Sequence, residues 1–367
     1  MVRSLLLTPG PLTTTDTVKT AMMGDWCTWE EEYKKLTRGI RSRLVELAGG
    51  GDQYTTVLMQ GSGTFSVEAA IGTFISKEDH VLIGVNGAYG RRIVEIAERL
   101  HIPYSTVTAD DTKALEVASF EEKLRTDSSI THVMFVHSET TSGLLNPAQD
   151  ICRIAKQFGK TTMVDAMSSF GGMDMSMADW NMDVLVSSSN KCLQGVPGFG
   201  FVLANRALLK SRKGCAPSLS LDVYDQFETM ENDSGKWRFT SPTHAVHAFS
   251  QALAELIEEG GVPVREARYR KNQETLIAGM EALGFKTAVS KSIQSPFIVS
   301  FLYPDRTFSF DTFYTALKAD GFIIYPGKLT DLPAFRIGTI GDIHVSDIQR
   351  LFESIKTYMT VRGEIRI

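Results

Sequence analysis

Lys191 stands in the run Ser188-Ser189-Asn190-Lys191-Cys192-Leu193-Gln194-Gly195, just after an apolar, β-branched stretch. A single loop lysine is ordinarily a solvated charge; what precedes it in the chain changes the reading. Asp165 closes the apolar run Met163-Val164-Asp165-Ala166, where a carboxylate can lie beneath a bound ring and pair with a protonated ring nitrogen, or else cap a helix. The turn Gly61-Ser62-Gly63-Thr64 follows one apolar run and opens another, so its N–H groups and hydroxyls could wrap a phosphate at a helix start. It matches neither the Walker A pattern nor G-x-G-x-x-G, and in isolation it is a glycine turn with a capping hydroxyl. Tyr89 lies in the glycine-flanked run Asn86-Gly87-Ala88-Tyr89-Gly90. Together these residues supply an anion cradle, an aromatic face, a pyridinium partner and an amine able to form a Schiff base, the parts that a pyridoxal 5'-phosphate site requires.

Such residues act together only if the fold brings them to one edge. From about Tyr54 to Ala204, short apolar stretches alternate with helical patterns, which predicts βαβ units around a mostly parallel sheet. The predicted strands are Thr55 to Met59, Val81 to Val85, His132 to Val136, Thr161 to Val164, Val184 to Ser187 and Phe199 to Leu203. Helices are predicted at Val67 to Phe74, Arg91 to Leu100 and Ala148 to Phe158, where apolar residues recur three and four apart. In such a sheet ligands bind beyond the C-terminal ends of the strands, and the polar loops named above follow those ends. A further helix should begin after Pro242 and stop at Gly260-Gly261. Beyond it, helices at Arg265 to Leu283, Phe310 to Asp320 and Ser346 to Tyr358, with strands at Phe297 to Phe301, Phe322 to Tyr325 and Ala334 to Gly338, predict a smaller α+β domain.

The chain has 367 residues, 43% of them hydrophobic and 22% charged, so disordered and fibrous classes are excluded. Its formal charge of -5, without long runs of one sign, offers no basic footprint for nucleic acid. No apolar stretch is long enough to span a membrane, and the leucine run at Leu5 to Leu7 is too short for a signal peptide. Cys27, Cys152, Cys192 and Cys215 are widely spaced and form no metal-ligand pattern, which favours a reducing cytoplasm and no bound metal. His137 is expected to fix the loop at Thr140, His244 to start a helix, and Cys192 to pack in the interior. Trp26 and Trp29 are expected to meet a partner subunit, the mouth of the site or the core.

The sequence also resembles the 2-aminoethylphosphonate:pyruvate transaminases, within the branch that includes alanine:glyoxylate and serine:pyruvate enzymes. The resemblance spans essentially the whole chain. It rests on Leu7-Thr8-Pro9-Gly10-Pro11-Leu12, Gln60-Gly61-Ser62-Gly63, Asn86 to Gly90, Val136-His137-Ser138-Glu139-Thr140-Thr141, Val164 to Gly172, Asn190 to Gly198, Gly235 to His244 and Tyr325-Pro326-Gly327-Lys328. It implies fold type I of the pyridoxal phosphate enzymes: a large α/β domain with a mostly parallel, seven-stranded type of sheet flanked by helices, and a smaller α+β C-terminal domain. The implied division is an N-terminal segment 1–15 that contributes to the site, a large domain 16–260 and a small domain 261–367.

By the same resemblance Lys191 carries the cofactor as a Schiff base and moves the proton, and Asp165 keeps the pyridine nitrogen protonated. Tyr89 stacks on the ring; Ser62, Gly63 and Thr64 bind the phosphate, joined by Thr240 from the neighbouring subunit of a homodimer; Thr140 bonds the ring hydroxyl. Arg336 receives the substrate's acid group, assisted by backbone N–H groups around Gly10, and Lys236, Arg238 and Lys328 are further candidates for a phosphonate. The implied substrates are 2-aminoethylphosphonate and pyruvate. Alanine:glyoxylate or serine:pyruvate exchange, or a catalytically silent binding protein on this fold, are the alternatives.

Overall fold

The computed structural model describes residues 4–330 and 332–361; the extremities of the expected first and last segments, residues 1–3 and 362–367, lie outside the described residues. Within them the strands are β1 (Leu5–Leu6), β2 (Tyr54–Gln60), β3 (Val81–Val85), β4 (Tyr104–Thr108), β5 (His132–Val136), β6 (Ser138–Glu139), β7 (Leu144–Leu145), β8 (Thr161–Asp165), β9 (Val184–Ser188), β10 (Phe199–Asn205), β11 (Ile298–Leu302), β12 (Phe322–Ile323), β13 (Tyr325–Pro326) and β14 (Ala334–Gly338). The helices are α1 (Asp16–Thr20), α2 (Glu31–Leu47), α3 (Gly63–Phe74), α4 (Ala88–Arg99), α5 (Val117–Thr126), α6 (Ala148–Gln157), α7 (Arg206–Lys210), α8 (Val223–Asn232), α9 (Thr243–Glu259), α10 (Val262–Ala282), α11 (Phe310–Ala319) and α12 (Val345–Val361).

Seven strands form one sheet in the order β2-β10-β9-β8-β5-β3-β4. β10 is antiparallel to β2 and β9, and the remaining neighbours are parallel. Strands covered on both faces read as near-continuous apolar runs, and β5 (HVMFV) is buried throughout, its one polar residue, His132, included. Helix α4 turns Ile93, Ile96 and Ala97 inward and leaves Arg91, Glu95 and Glu98 exposed.

All six strands predicted for the sheet are present, most of them one or two residues longer. The seventh, β4, escapes the apolar pattern because it is the sheet edge: in Tyr104-Ser105-Thr106-Val107-Thr108 only Val107 is buried. Helix α9 ends at Gly260 in a left-handed conformation, φ 112°, as the glycine pair suggests, and α10 begins three residues earlier than expected. The predicted single strand from Phe322 to Tyr325 is two: β12 pairs with β1 and β13 with β14, the chain changing sheets at Ile324. No described helix is long and apolar enough to cross a membrane.

The smaller C-terminal domain sets β11, β14 and β13 antiparallel. Alternation along β14 divides its side chains. Phe335 and Ile337 enter an aromatic core, where the Phe335 ring lies 5.2 Å from Phe313 and 5.7 Å from Phe285, and Arg336 emerges on the other face. The N-terminal residues belong to this core too: Leu5 and Leu7 are buried in it, and the Gly338 N–H donates to the Leu7 carbonyl at 2.9 Å. Gly338 is glycine because a Cβ there would meet the Thr8 carbonyl oxygen at 2.3 Å and its nitrogen at 2.8 Å. Gly338→Ala therefore forces the N-terminal segment off β14. The expected loss is about 1–3 kcal/mol of unfolding free energy, read as a lower urea midpoint.

Candidate active site

The polar loops converge beyond the C-terminal ends of β2, β3, β5, β8 and β9. Ser62 precedes α3 and makes no side-chain capping bond, while Gly63 and Thr64 form the first turn of that helix. Tyr89 occupies the first turn of α4, Asp165 is the last residue of β8, and Lys191 follows β9. Gly63, Thr64, Val67, Tyr89, Arg92, Ile93, Asp165 and Met167 line one narrow cleft of about 40 Å3. Its flexible wall is Met167, whose sulfur would lie 2.4 Å from any Cβ added to Gly63; an unbranched thioether is the side chain most able to turn aside for a flat ring.

Lys191 Nζ donates to the Pro9 carbonyl at 2.9 Å and to the Gly10 carbonyl at 3.3 Å. Burial lowers its pKa from 10.5 to about 8, opposed by Asp165 and reinforced by the positive charges of Arg336 and Lys328. Asp165 moves the other way. Burial raises its carboxyl from 3.8 to about 6, helped by the negative charge of Glu139, while the Met167 N–H, donating to Oδ1 at 2.9 Å, and the charges of Lys191 and Arg92 hold it down.

Arg336 is 2% exposed. It donates from Nε to the Pro326 carbonyl at 3.0 Å and from Nη1 to the Thr140 carbonyl at 2.8 Å, and it pairs with no carboxylate among the described residues. Thr140 is thus beside Arg336 through its backbone. Gly10 plays the opposite part to the expected one: its N–H is taken by the Thr8 hydroxyl at 3.3 Å, and its carbonyl, with that of Pro9, faces Lys191. Thr240 is exposed and does not line the cleft of its own chain. Lys236 pairs with Asp233 at 3.3 Å and Arg238 with Asp225 at 3.2 Å, so of the three further cations only Lys328 bears on Lys191.

Three residues of the site lay unassigned in the sequence. Glu139 is fully buried: one carboxylate oxygen accepts the Thr141 N–H and hydroxyl, the other the Tyr89 N–H at 3.1 Å and the Gly90 N–H at 3.4 Å. Arg92 donates to the Thr64 hydroxyl at 3.2 Å, and its guanidinium lies 5.1 Å from the centre of the Tyr89 ring. Met167 is the third. Glu139 sits inside a run that carries the resemblance, and Arg92 lies one helical turn from Tyr89; those were the available signals. His137 bonds Ser169 at 3.0 Å instead of the Thr140 loop, whereas Cys192 is buried as expected. His244 lies in the first turn of α9, and Trp26 stacks on His247 at 4.3 Å, while Trp29 is 70% exposed beneath Lys34 and Lys236.

The donor set fits pyridoxal phosphate. A buried carboxylate with one oxygen unused by the protein, an aromatic face and free helix N–H groups meet at one cleft, and a buried lysine near neutrality interacts electrostatically with that carboxylate. Gly10 lets the lysine pack against the N-terminal segment, since a Cβ there would lie 2.7 Å from Lys191 Cδ and 2.9 Å from its Nζ.

Comparison with known proteins agrees with this geometry. The class-V aminotransferase family model matches residues 21–360. The chain is 56% identical over 352 residues to the 2-aminoethylphosphonate-pyruvate transaminases of Bacillus cereus (strain ATCC 10987 / NRS 248) and Bacillus cytotoxicus, covering 96% of each partner in both cases. Among solved structures, ureidoglycine-glyoxylate aminotransferase of Bacillus subtilis superposes with a TM-score of 0.91 at 20% identity, covering 99% of this chain and 94% of that one. Alanine-glyoxylate aminotransferase of a Nostoc species superposes at 0.90 with 23% identity, covering 98% and 96%. The fold is that of the pyridoxal-phosphate-dependent aminotransferases, and the chain belongs to the class-V aminotransferase family.

Proposed function

We propose that this protein transfers the amino group of 2-aminoethylphosphonate to pyruvate, giving phosphonoacetaldehyde and L-alanine, with pyridoxal phosphate at the cleft between Tyr89 and Asp165. The observation that carries the reading is 56% identity across 96% of relatives that bear this name, in a chain whose Lys191, Asp165 and Arg336 converge on one site. When bound, the cofactor supplies an aldehyde that condenses with amines and a ring that withdraws electrons.

The protein's own groups would do the rest. Lys191 Nζ, with a pKa of about 8, exchanges readily between neutral and protonated forms, so one atom can take a proton and return it. Asp165 keeps Oδ1 on the Met167 N–H and turns Oδ2 to a ring nitrogen, holding a proton there. Tyr89 fixes the plane of the ring; Ser62, Gly63 and Thr64 receive the phosphate, with Thr240 of a second subunit; Thr140 bonds the ring hydroxyl. Arg336 takes the acid group of each substrate in turn, a guanidinium being suited to carboxylate and phosphonate alike. Alternation of two substrates at one site gives ping-pong kinetics.

The same reading makes the chain a cytoplasmic homodimer, divided into a segment 1–15, a large domain 16–260 and a small domain 261–367. Its four cysteines are unpaired. Phe65 and Phe239, 52% and 51% exposed, flank a groove that also includes Gly61, beside the phosphate turn, and Thr240 follows Phe239; a second copy covering this groove would bring Thr240 to the neighbouring phosphate. An active, cofactor-saturated monomer in sedimentation would exclude that arrangement.

The donor profile of the loaded enzyme decides the substrate: activity with alanine or serine and none with the aminophosphonate would reject this reading in favour of the alanine:glyoxylate or serine:pyruvate one. Lys191→Ala is expected to lose the visible absorbance band of the bound cofactor. Arg336→Lys, which keeps the charge but not the fork, should raise KM for pyruvate about 10- to 100-fold with a smaller change in kcat, measured by steady-state kinetics. Asp165 gives a pH signature. Its folded pKa is about 6 against 3.8, so the folded state binds more protons between those values and ionisation costs stability, fully above about pH 6 and not at all below about pH 4. Cofactor-free Asp165→Asn should therefore melt above the parent near neutral pH and with it near pH 4, while the loaded variant loses activity.

A further inference from the structure

We propose that Arg92 anchors the cofactor phosphate by holding and polarising the Thr64 hydroxyl; this rests on the reading that pyridoxal phosphate occupies the cleft. Tyr89 and Arg92 are three residues apart in the first turns of α4 and project from one face of it into the cleft. Arg92 Nη1 donates to Thr64 Oγ1 at 3.2 Å. A threonine hydroxyl has one proton, and when its oxygen accepts from a guanidinium that proton is free for another acceptor. Thr64 lies in the first turn of α3, whose leading N–H groups have no capping side chain because Ser62 makes no such bond. The acceptor that suits a free hydroxyl proton, uncapped helix N–H groups and a nearby cation is an anion.

The contrast with Arg91 sharpens the assignment. Arg91 is exposed and clamped on Asp111 through contacts of 2.8 and 3.3 Å. Arg92 forms no ion pair with a carboxylate among the described residues; its partners are a hydroxyl and the face of the Tyr89 ring, 5.1 Å from its centre. A cation kept beside the phosphate turn with no carboxylate in direct contact, only the more distant charge of Asp165, leaves its N–H groups for a ligand. Arg92 is thus a positioning residue that couples phosphate to stacked ring: the guanidinium that orients Thr64 also supports Tyr89.

The two roles separate by removing the phosphate from the ligand. Full-length, cofactor-free protein is titrated with pyridoxal phosphate and, separately, with pyridoxal, following tryptophan fluorescence and visible absorbance. Arg92→Gln is expected to weaken pyridoxal phosphate about 10- to 100-fold and pyridoxal less than about 2-fold, and inorganic phosphate should compete with the cofactor less well in the variant. Equal weakening of both ligands would assign Arg92 to the Tyr89 ring alone and overturn the proposal, as would no weakening of either. Should circular dichroism show Arg92→Gln misfolded, the comparison passes to Arg92→Lys, which keeps stem and charge: a loss confined to pyridoxal phosphate supports the proposal and an equal loss overturns it. Failure of the parent protein to bind pyridoxal phosphate would instead reject the cofactor reading itself.

Discussion

The structure depends on how the buried ammonium of Lys191 is satisfied. A cation out of water must find acceptors, and here they are the carbonyls of Pro9 and Gly10, some 180 residues away in the chain. Those carbonyls are in place only because the N-terminal segment is woven into the small domain: β1 pairs with β12, Leu5 and Leu7 enter its core, and Leu7 bonds Gly338. The lysine is thereby a joint between the two parts of the chain. Two neutral carbonyls are weak partners for a charge, so burial still drives the pKa down to about 8. A carboxylate in their place would have kept the lysine charged and unreactive.

Glu139 is the complementary device, a buried carboxyl whose pKa burial raises and four donors hold down, with no ion-paired cation among the described residues. Two of those donors are the first N–H groups of α4, where the helix dipole favours negative charge, and two belong to Thr141. One carboxylate therefore fixes the helix that carries Tyr89 and Arg92 and also the loop whose Thr140 carbonyl receives Arg336. Gly87 is glycine for the same reason, since a Cβ there would meet the Glu139 side chain at 2.3 Å. The negative charge of Glu139 also opposes ionisation of Asp165.

The chemistry-bearing loops and nearly the whole central sheet were legible in the sequence because both follow from local pattern: apolar runs mark covered strands, and polar runs after them mark the ligand edge. Edge strand β4 was not legible, because half of it faces water and its pattern is polar. The division of Phe322 to Tyr325 between two sheets was also hidden, since nothing local distinguishes a strand from a strand that changes partners. The inversion at Gly10 has the same origin: a sequence shows that a backbone passes near a site but not whether N–H or carbonyl faces it. Lys191 and Asp165 could be read by type; Arg92 and Glu139 needed the three-dimensional neighbours that turn an ordinary surface-type residue into part of a site.

Arg336 shows why acid substrates and the domain arrangement belong to one problem. Phe335 and Ile337 lock its strand into the small-domain core, while its own side chain reaches across to a large-domain carbonyl. Burial at 2% exposure, with two carbonyls and the Tyr325 ring at 5.8 Å as partners, costs free energy, a cost that an anion beside the guanidinium would offset. Selectivity, on the proposed reading, would come first from charge and only second from shape. On the proposed reading this is what allows one cleft to hold a phosphonate in one half of the cycle and a carboxylate in the other: both offer paired oxygens to the same fork, and a neutral amine or aldehyde offers nothing that would repay the burial.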